Sequence, residues 1–163
     1  MTTKQEEYVH YDECIASLNR AWWILQKLRE TQQRDAITAA AFRFALVEYA
    51  KPYTSSDGVH RNRKNRNSYK LLPPPSLSTE DLKLHKHILT LRDQVLAHSD
   101  LTWKDAAVYI NRYGGELHAI IASNKELLIP DIDAVIGLTE RTLEIMYFEQ
   151  NQRLEDLDNT NSR

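Results

Sequence analysis

The sequence predicts a mainly α-helical protein, a four-helix up-and-down bundle with a small β-hairpin before the last helix. Apolar residues recur every three or four positions over four segments, a spacing typical of amphipathic helices. Residues 106–121 instead alternate apolar and polar side chains around a Gly-Gly pair, as a hairpin does. At 163 residues the chain can bury a core of its own, and no solenoid repeat occurs. We therefore predict one helical domain over residues 1–163.

The first two helices are predicted from apolar stripes of different extent. A stripe that runs from Tyr8 to Leu25 indicates a first helix from about Gln5 to Glu30. The second segment is apolar on two sides, and a helix of that kind contacts two neighbours or a second subunit. One side holds Ile37, Ala40, Ala41, Phe44 and Val47, and the other holds Phe42, Leu46, Tyr49 and Tyr53. We therefore predict a homodimer, with candidate contacts at Phe42, Leu46 and Tyr49.

Residues 54–78 are predicted to form a basic loop between the second and third helices. Gly, Ser and three successive prolines prevent a helix here, and no acid follows Asp57 within the loop. Two interpretations stay open, a solvated connector and a segment that contacts RNA phosphates. In the second interpretation, the candidate RNA-binding residues are Arg61, Arg63, Lys64, Arg66 and Lys70.

A third helix is predicted to begin at residue 79 and to continue to about residue 98. Ser78 or Thr79 is suited to cap it, and acids follow in the first turn, where the helix dipole favours anions. The predicted inner stripe consists of Leu84, Ile88, Leu91 and Val95, and His98 continues it. The adjoining stripe consists of His85, Leu89, Arg92 and Leu96.

The hairpin and the last helix complete the predicted bundle. In the expected hairpin register, one face holds Val108, Ile110, Leu117, Ala119 and Ile121. Pro130 is suited to the first turn of the last helix. The apolar stripe of that helix consists of Ile132, Val135, Thr139, Leu143 and Met146. A polar tail is predicted from about residue 155 to residue 163.

Composition and motifs restrict the possible functions. A net charge of -2 means that nucleic-acid binding has to come from local clusters of Lys and Arg. The single cysteine, Cys14, excludes an intrachain disulfide and fits a cytoplasmic protein. No apolar run is long enough for a membrane span, and no phosphate-binding loop or dinucleotide fingerprint occurs. His85 and His87 would point about 200° apart on a helix, so we predict neither a metal nor a cofactor.

Arg92, Asp93 and His98 remain as candidate catalytic residues. An imidazole titrates near neutral pH and can transfer a proton in either direction. A guanidinium presents a rigid fork of donors that suits phosphate oxygens. A structural interpretation stays open as well, in which His98 is a core or helix-ending residue and Arg92 is a surface ion-pair partner.

The segment from Arg92 to His98, late on the third helix of a small bundle, resembles the signature of the HEPN superfamily of nucleic-acid-acting domains. Five residues separate the Arg from the His, inside the four-to-six range of that family. The Ala-His-Ser-Asp stretch at residues 97–100 also resembles HEPN proteins of the abortive-infection type. The close match covers residues 79–100. Asp93 stands where the family often has Asn, and the hairpin lies outside the minimal HEPN bundle.

The resemblance implies a metal-independent endoribonuclease of a toxin–antitoxin or phage-defence system, which acts as a homodimer with both motifs in one cleft. It assigns the proton transfers to His98 and its dimer mate, charge stabilisation to Arg92, and an orienting role to Asp93. The basic loop would hold the RNA backbone, and a cognate antitoxin protein is an expected partner. The alternative function is a non-catalytic dimeric interaction or regulatory module. Arg92 and His98 in a shared groove would favour the enzyme.

Overall fold

The computed structural model describes residues 2–31, 35–58, 68–93, 106–113, 116–123 and 129–161. Within these residues the helices are α1 (Thr3–Glu30), α2 (Ala36–Ala50), α3 (Thr79–Leu91) and α4 (Ile132–Asn161). The strands are β1 (Ser56–Asp57), β2 (Ser68–Tyr69), β3 (Ala106–Tyr113) and β4 (Glu116–Ser123). The predicted class, a mainly helical bundle with an antiparallel hairpin before the last helix, is confirmed.

Each of the four helices begins at a polar side chain that accepts a hydrogen bond from a backbone N–H of the first turn. Such N–H groups have no partner inside the helix, so the capping residue determines where the helix starts. The caps are Thr2, Asp35, Ser78 and Asp131. Pro130 therefore lies two residues before α4, and its predicted place in the first helical turn is wrong.

Helix α1 lies between α2 and α4 and supplies much of the core. Its predicted stripe is the buried face, with Ile15, Leu18 and Leu25 fully enclosed. Hydrogen bonds also join α1 to α4, from Trp22 Nε1 to Glu140 at 2.8 Å and from the Tyr11 hydroxyl to Glu149 at 2.8 Å. The two long helices α1 and α4 thus pack antiparallel and form one half of the bundle.

The two apolar sides of α2 have different environments. Leu46 and Tyr49 are buried in the core of the bundle, and Phe42 packs against that core. The prediction that Leu46 and Tyr49 form dimer contacts is therefore wrong. Phe42 is half-buried, so its dimer contact stays a prediction. The opposite side of α2 is open, because Ile37 is 77% exposed and Phe44 is 52% exposed.

The buried face of α3 differs from the predicted inner stripe. Ile88 and Leu91 are buried as predicted, but Leu84 is only half-buried. The buried positions of the preceding turns are the polar residues Asp81 and His85. Both find partners on other helices, which makes their burial favourable. Val95, Leu96 and His98 lie outside the described residues.

The hairpin has the predicted register. Val108 pairs with Ile121, Ile110 with Ala119, and Arg112 with Leu117. Directly opposite residues of an antiparallel pair belong to the same register position, so the predicted pairing is confirmed. The predicted Gly-Gly turn, at residues 114–115, lies outside the described residues.

Helix α4 buries its predicted stripe and extends further than predicted. Val135, Thr139, Leu143 and Met146 are buried, and Ile132 packs against them at the edge of the core. The helix continues to Asn161, so most of the predicted polar tail is an exposed helical end. No Gly or Pro interrupts residues 146–161, which explains why the helix continues. Among the described helices, none combines the length and the apolar character that crossing a membrane requires.

Candidate active site

The C-terminal end of α3 holds the candidate catalytic residues that the structure describes. The Ser78 cap and the acids of the first turn start the helix, and Leu91 is its last residue. The Arg92 backbone N–H still bonds to the carbonyl oxygens of Ile88 and Leu89. Arg92 is therefore held by the helix but lies where the regular α-helix ends.

Arg92 and Asp93 form an ion pair at the surface. Arg92 Nη1 lies 2.6 Å from Asp93 Oδ1, and the two side chains are 30% and 59% exposed. Consecutive helical residues do not face each other, so the long Arg side chain has to bend back to its neighbour. A guanidinium has five N–H donors, and a carboxylate that holds one end of the fork limits its orientation. This geometry is compatible with the orienting role expected for Asp93.

Several predicted site residues lie in parts of the chain that the structure does not describe. His98 lies outside the described residues, as do Arg61, Arg63, Lys64 and Arg66. The structure therefore brings together Arg92 and Asp93 of the predicted catalytic residues. The shared groove between Arg92 and His98, and the predicted contact of the basic loop with RNA, stay predictions.

The two ends of the basic loop are anchored to the bundle. Strands β1 and β2 pair with each other, and the Leu71 backbone N–H donates to the Pro52 carbonyl at 2.9 Å. The Tyr69 hydroxyl donates to Glu6 of α1 at 2.9 Å. Lys70, which is exposed, follows directly after this anchor. Residue 70 is thus the one predicted RNA-binding position with a described placement, at the base of the loop.

A buried polar cluster beside α3 was missed by the sequence analysis. The Tyr49 hydroxyl lies 3.0 Å from His85 Nδ1, and the Tyr53 ring stands edge-on to the imidazole with centroids 4.5 Å apart. Burial, and then the positive charge of Lys86, lower the pKa of His85 to about 4. His85 is therefore neutral near pH 7 and enclosed in the core. It fixes α3 against the end of α2.

A second polar contact fixes the start of α3 on α4. Arg141 donates to both carboxylate oxygens of Asp81, with Nε lying 3.0 Å from Oδ2. This hydrogen-bonded guanidinium is the main reason that the pKa of Asp81 lies below its ordinary value. The bidentate geometry is the strong form of this pair. Together with the cluster around His85, it sets the position of α3 and hence of Arg92.

A buried carboxylate on α2 was also missed. Glu48 is 1% exposed and accepts hydrogen bonds from Arg20 Nε at 3.0 Å and from Lys51 Nζ. Burial alone would raise the pKa of Glu48, but the hydrogen bonds from Lys51 and Arg20 outweigh it and hold that pKa below its ordinary value. The signal in the sequence was weak, because Glu48 is one acid between apolar neighbours.

No family model matches the chain, and comparison with curated proteins and with solved structures also finds no match. Among the described residues, no three His, Cys, Asp or Glu side chains converge as metal ligands do. The arrangement that remains for chemistry is a half-exposed guanidinium at the end of a helix, oriented by a neighbouring carboxylate.

Proposed function

We propose that this protein is a metal-independent endoribonuclease, as the resemblance of residues 92–98 to the HEPN motif implies. The observation that carries the proposal is the placement of Arg92. Its guanidinium is oriented by Asp93 at the end of α3, in a helical bundle, and five residues separate it from His98 in the sequence. A fixed, partly exposed guanidinium is suited to a phosphate that gains charge during a reaction.

In the proposed reaction, His98 takes the proton from a ribose 2′-hydroxyl, and the 2′ oxygen attacks the adjacent phosphorus. The bond from phosphorus to the 5′ oxygen then breaks. The His98 of a second copy protonates the leaving 5′ oxygen, while Arg92 stabilises the charge on the pentacoordinate phosphorus. The products are a 2′,3′-cyclic phosphate and a 5′-hydroxyl end, which is an end chemistry that does not need a metal ion.

The proposed biological setting is a toxin–antitoxin or phage-defence system in the cytoplasm, with a cognate antitoxin protein as a partner. This setting rests on the same resemblance to HEPN proteins of the abortive-infection type. The part of the basic loop from Arg61 to Lys70 is proposed to hold the RNA backbone through its positive charges.

The second candidate function is a non-catalytic dimeric interaction module. The observation that favours it is the Arg92–Asp93 ion pair itself, because a surface Arg held by its neighbour is also what a merely structural residue would show. In this function the open apolar side of α2 would contact a protein partner.

Incubation of single-stranded RNA with the purified protein in EDTA, followed by analysis of the product ends, tests the nuclease. The expected result is cleavage with 2′,3′-cyclic phosphate ends, and no cleavage of DNA of the same sequence, which lacks the attacking hydroxyl. Cleavage that appears only with added divalent metal, or that also occurs on DNA, would contradict the proposed chemistry. A folded protein that cleaves no RNA would favour the interaction module.

A further inference from the structure

The outer face of α4, which points away from the buried stripe of that helix, carries three large apolar side chains. Phe148 is 67% exposed, Leu154 is 52% exposed and Tyr147 is 45% exposed. Tyr147 and Leu154 are seven residues apart, so they lie two turns apart on one line of the helix surface, and Phe148 lies at the edge of this line. Single exposed apolar residues are common on soluble proteins, but a row of them on one helix face requires an explanation.

Acidic side chains occupy the same face of α4. Glu144 lies three residues before Tyr147 and four before Phe148, so it is next to both on the helix surface, and Glu140 lies one turn further back. Glu155 lies seven residues after Phe148. All three acids are exposed, and none of them forms an ion pair with a residue that the structure describes.

The two bases of α4 are directed at other helices. Arg141 donates to Asp81 of α3, and the guanidinium carbon of Arg153 lies 4.2 Å from the centroid of the Tyr11 ring of α1. Glu140 accepts hydrogen bonds from neutral donors of α1, which leave its charge in place. The outer face of α4 therefore keeps the negative charge of its carboxylates beside the exposed apolar side chains.

This combination favours one kind of partner. The carboxylates repel the phosphates of RNA, so nucleic acid is a poor ligand for this face. A second copy that bound through the same face in a two-fold contact would bring like charges together. A helix of another protein fits better, if it has apolar side chains to cover the row and Lys or Arg to pair with the acids.

We propose that the outer face of α4 binds a partner protein through a basic amphipathic helix of that partner. The face is formed by Glu140, Glu144, Tyr147, Phe148, Leu154 and Glu155. The proposal rests on the proposed function only where that function expects a protein partner, and it is independent of RNA cleavage at the end of α3.

The first test uses two labelled helical peptides and fluorescence anisotropy. One peptide consists of Leu and Lys at helical spacing, and the other has Glu in place of Lys; each has about 18 residues, enough to lie along the whole face. The wild type should bind the Lys peptide and not the Glu peptide. Phe148→Ala and Leu154→Ala are each expected to raise the Kd for the Lys peptide about 5- to 30-fold. Ile37→Ala, which removes another largely exposed apolar side chain on α2, is the matched control and should not change the Kd.

The second test reverses the charge of the face. A variant with both Glu144→Lys and Glu155→Lys should lose binding of the Lys peptide and gain binding of the Glu peptide. A control variant with both Glu13→Lys and Glu80→Lys makes the same change in net charge at exposed positions on α1 and α3. This control should keep the preference of the wild type. Circular dichroism checks that all variants are folded.

Several outcomes would overturn the proposal. They are a wild type that binds neither peptide or both equally, folded Phe148→Ala and Leu154→Ala variants with unchanged Kd, and the same reversal of preference in the control variant. A lower mass of Phe148→Ala than of the wild type in light scattering would assign the face to a second copy instead. RNA cleavage by a wild type that does not bind the Lys peptide would remove this surface and leave the nuclease. Peptide binding with the expected preferences by a protein that cleaves no RNA would leave this surface and remove the nuclease.

Discussion

Arg92 Nη1 lies 2.6 Å from Oδ1 of the residue that follows it, Asp93. This contact ties a proposed phosphate-binding cation to a negative charge that repels phosphate. The two effects oppose each other, because the carboxylate orients the guanidinium and also lowers the local positive potential.

Asp93→Asn is therefore expected to strengthen RNA binding. The amide can still accept a hydrogen bond from Arg92, but it carries no negative charge. Both side chains are partly exposed and screened by solvent, so we expect the KM for RNA to fall only about 2- to 5-fold. Glu80→Gln removes an exposed charge from the first turn of the same helix and is the matched control. A KM that is unchanged or higher in Asp93→Asn would show that the carboxylate does not face bound RNA.

His85 is expected to make the fold sensitive to acid. The pKa of His85 is about 4 in the folded protein, whereas its ordinary value is 6.5. Between pH 4 and pH 6.5 the folded state therefore binds fewer protons than the unfolded chain. The free energy of unfolding is thus highest above pH 6.5 and falls as the pH drops toward 4, by on the order of 3 kcal/mol from this group.

Denaturant unfolding between pH 6.5 and pH 5, above the range in which carboxylates titrate, measures this contribution. His85→Gln should flatten the pH dependence, because Gln can still bond to the Tyr49 hydroxyl but does not titrate. His87→Gln, a half-buried control on the same helix, should keep the slope of the wild type. Equal slopes for His85→Gln and the wild type would mean that this imidazole is not buried as described.

The residues beside α3 show how far the sequence could predict the fold. The stripe of α1 was predictable, because a local period of three and four residues is enough to identify a buried face. On α3, adjacent positions differ by about 100° around the axis, so the choice between Leu84 and His85 depends on what lies opposite. The partners of His85 and Asp81 are Tyr49 and Arg141, which are distant in the sequence, and no local pattern indicates them.

The candidate site was also predictable from the sequence only in part. The spacing from Arg92 to His98 is a property of the sequence and suggested the motif. The bond between Arg92 and Asp93 depends on side-chain rotamers at the end of α3, which spacing does not determine. The predicted dimer contacts at Leu46 and Tyr49 failed for a related reason, since hydrophobicity alone could not tell which side of α2 packs inside the bundle.

The basic loop is expected to govern RNA affinity rather than stability. Replacing Arg61, Arg63, Lys64 and Arg66 with Ser removes charges that release phosphate counterions on binding. The slope of log Kd against log salt concentration should become shallower, while the free energy of unfolding stays within about 0.5 kcal/mol of the wild type. A slope equal to that of the wild type would leave the loop as a solvated connector.

The proposed active site requires a homodimer, which light scattering at micromolar concentration should show as twice the mass of one chain. With Leu46 and Tyr49 inside the core, the open side of α2 offers Ile37 as a candidate contact instead. Ile37→Lys is expected to lower the mass toward one chain without unfolding, because Ile37 is largely exposed. A wild type with the mass of one chain would remove both the dimer and the composite site.

Cleavage assays on Arg92→Ala and His98→Ala, run in EDTA beside the wild type, test the central claim most directly. Both variants should keep the circular dichroism and mass of the wild type and lose formation of 2′,3′-cyclic phosphate ends, since each lacks a group that acts in the transition state. His87→Ala, which removes a histidine of α3 outside the proposed site, should cleave RNA as the wild type does. Cleavage that persists in both folded variants would contradict the assignment of Arg92 and His98 to the reaction.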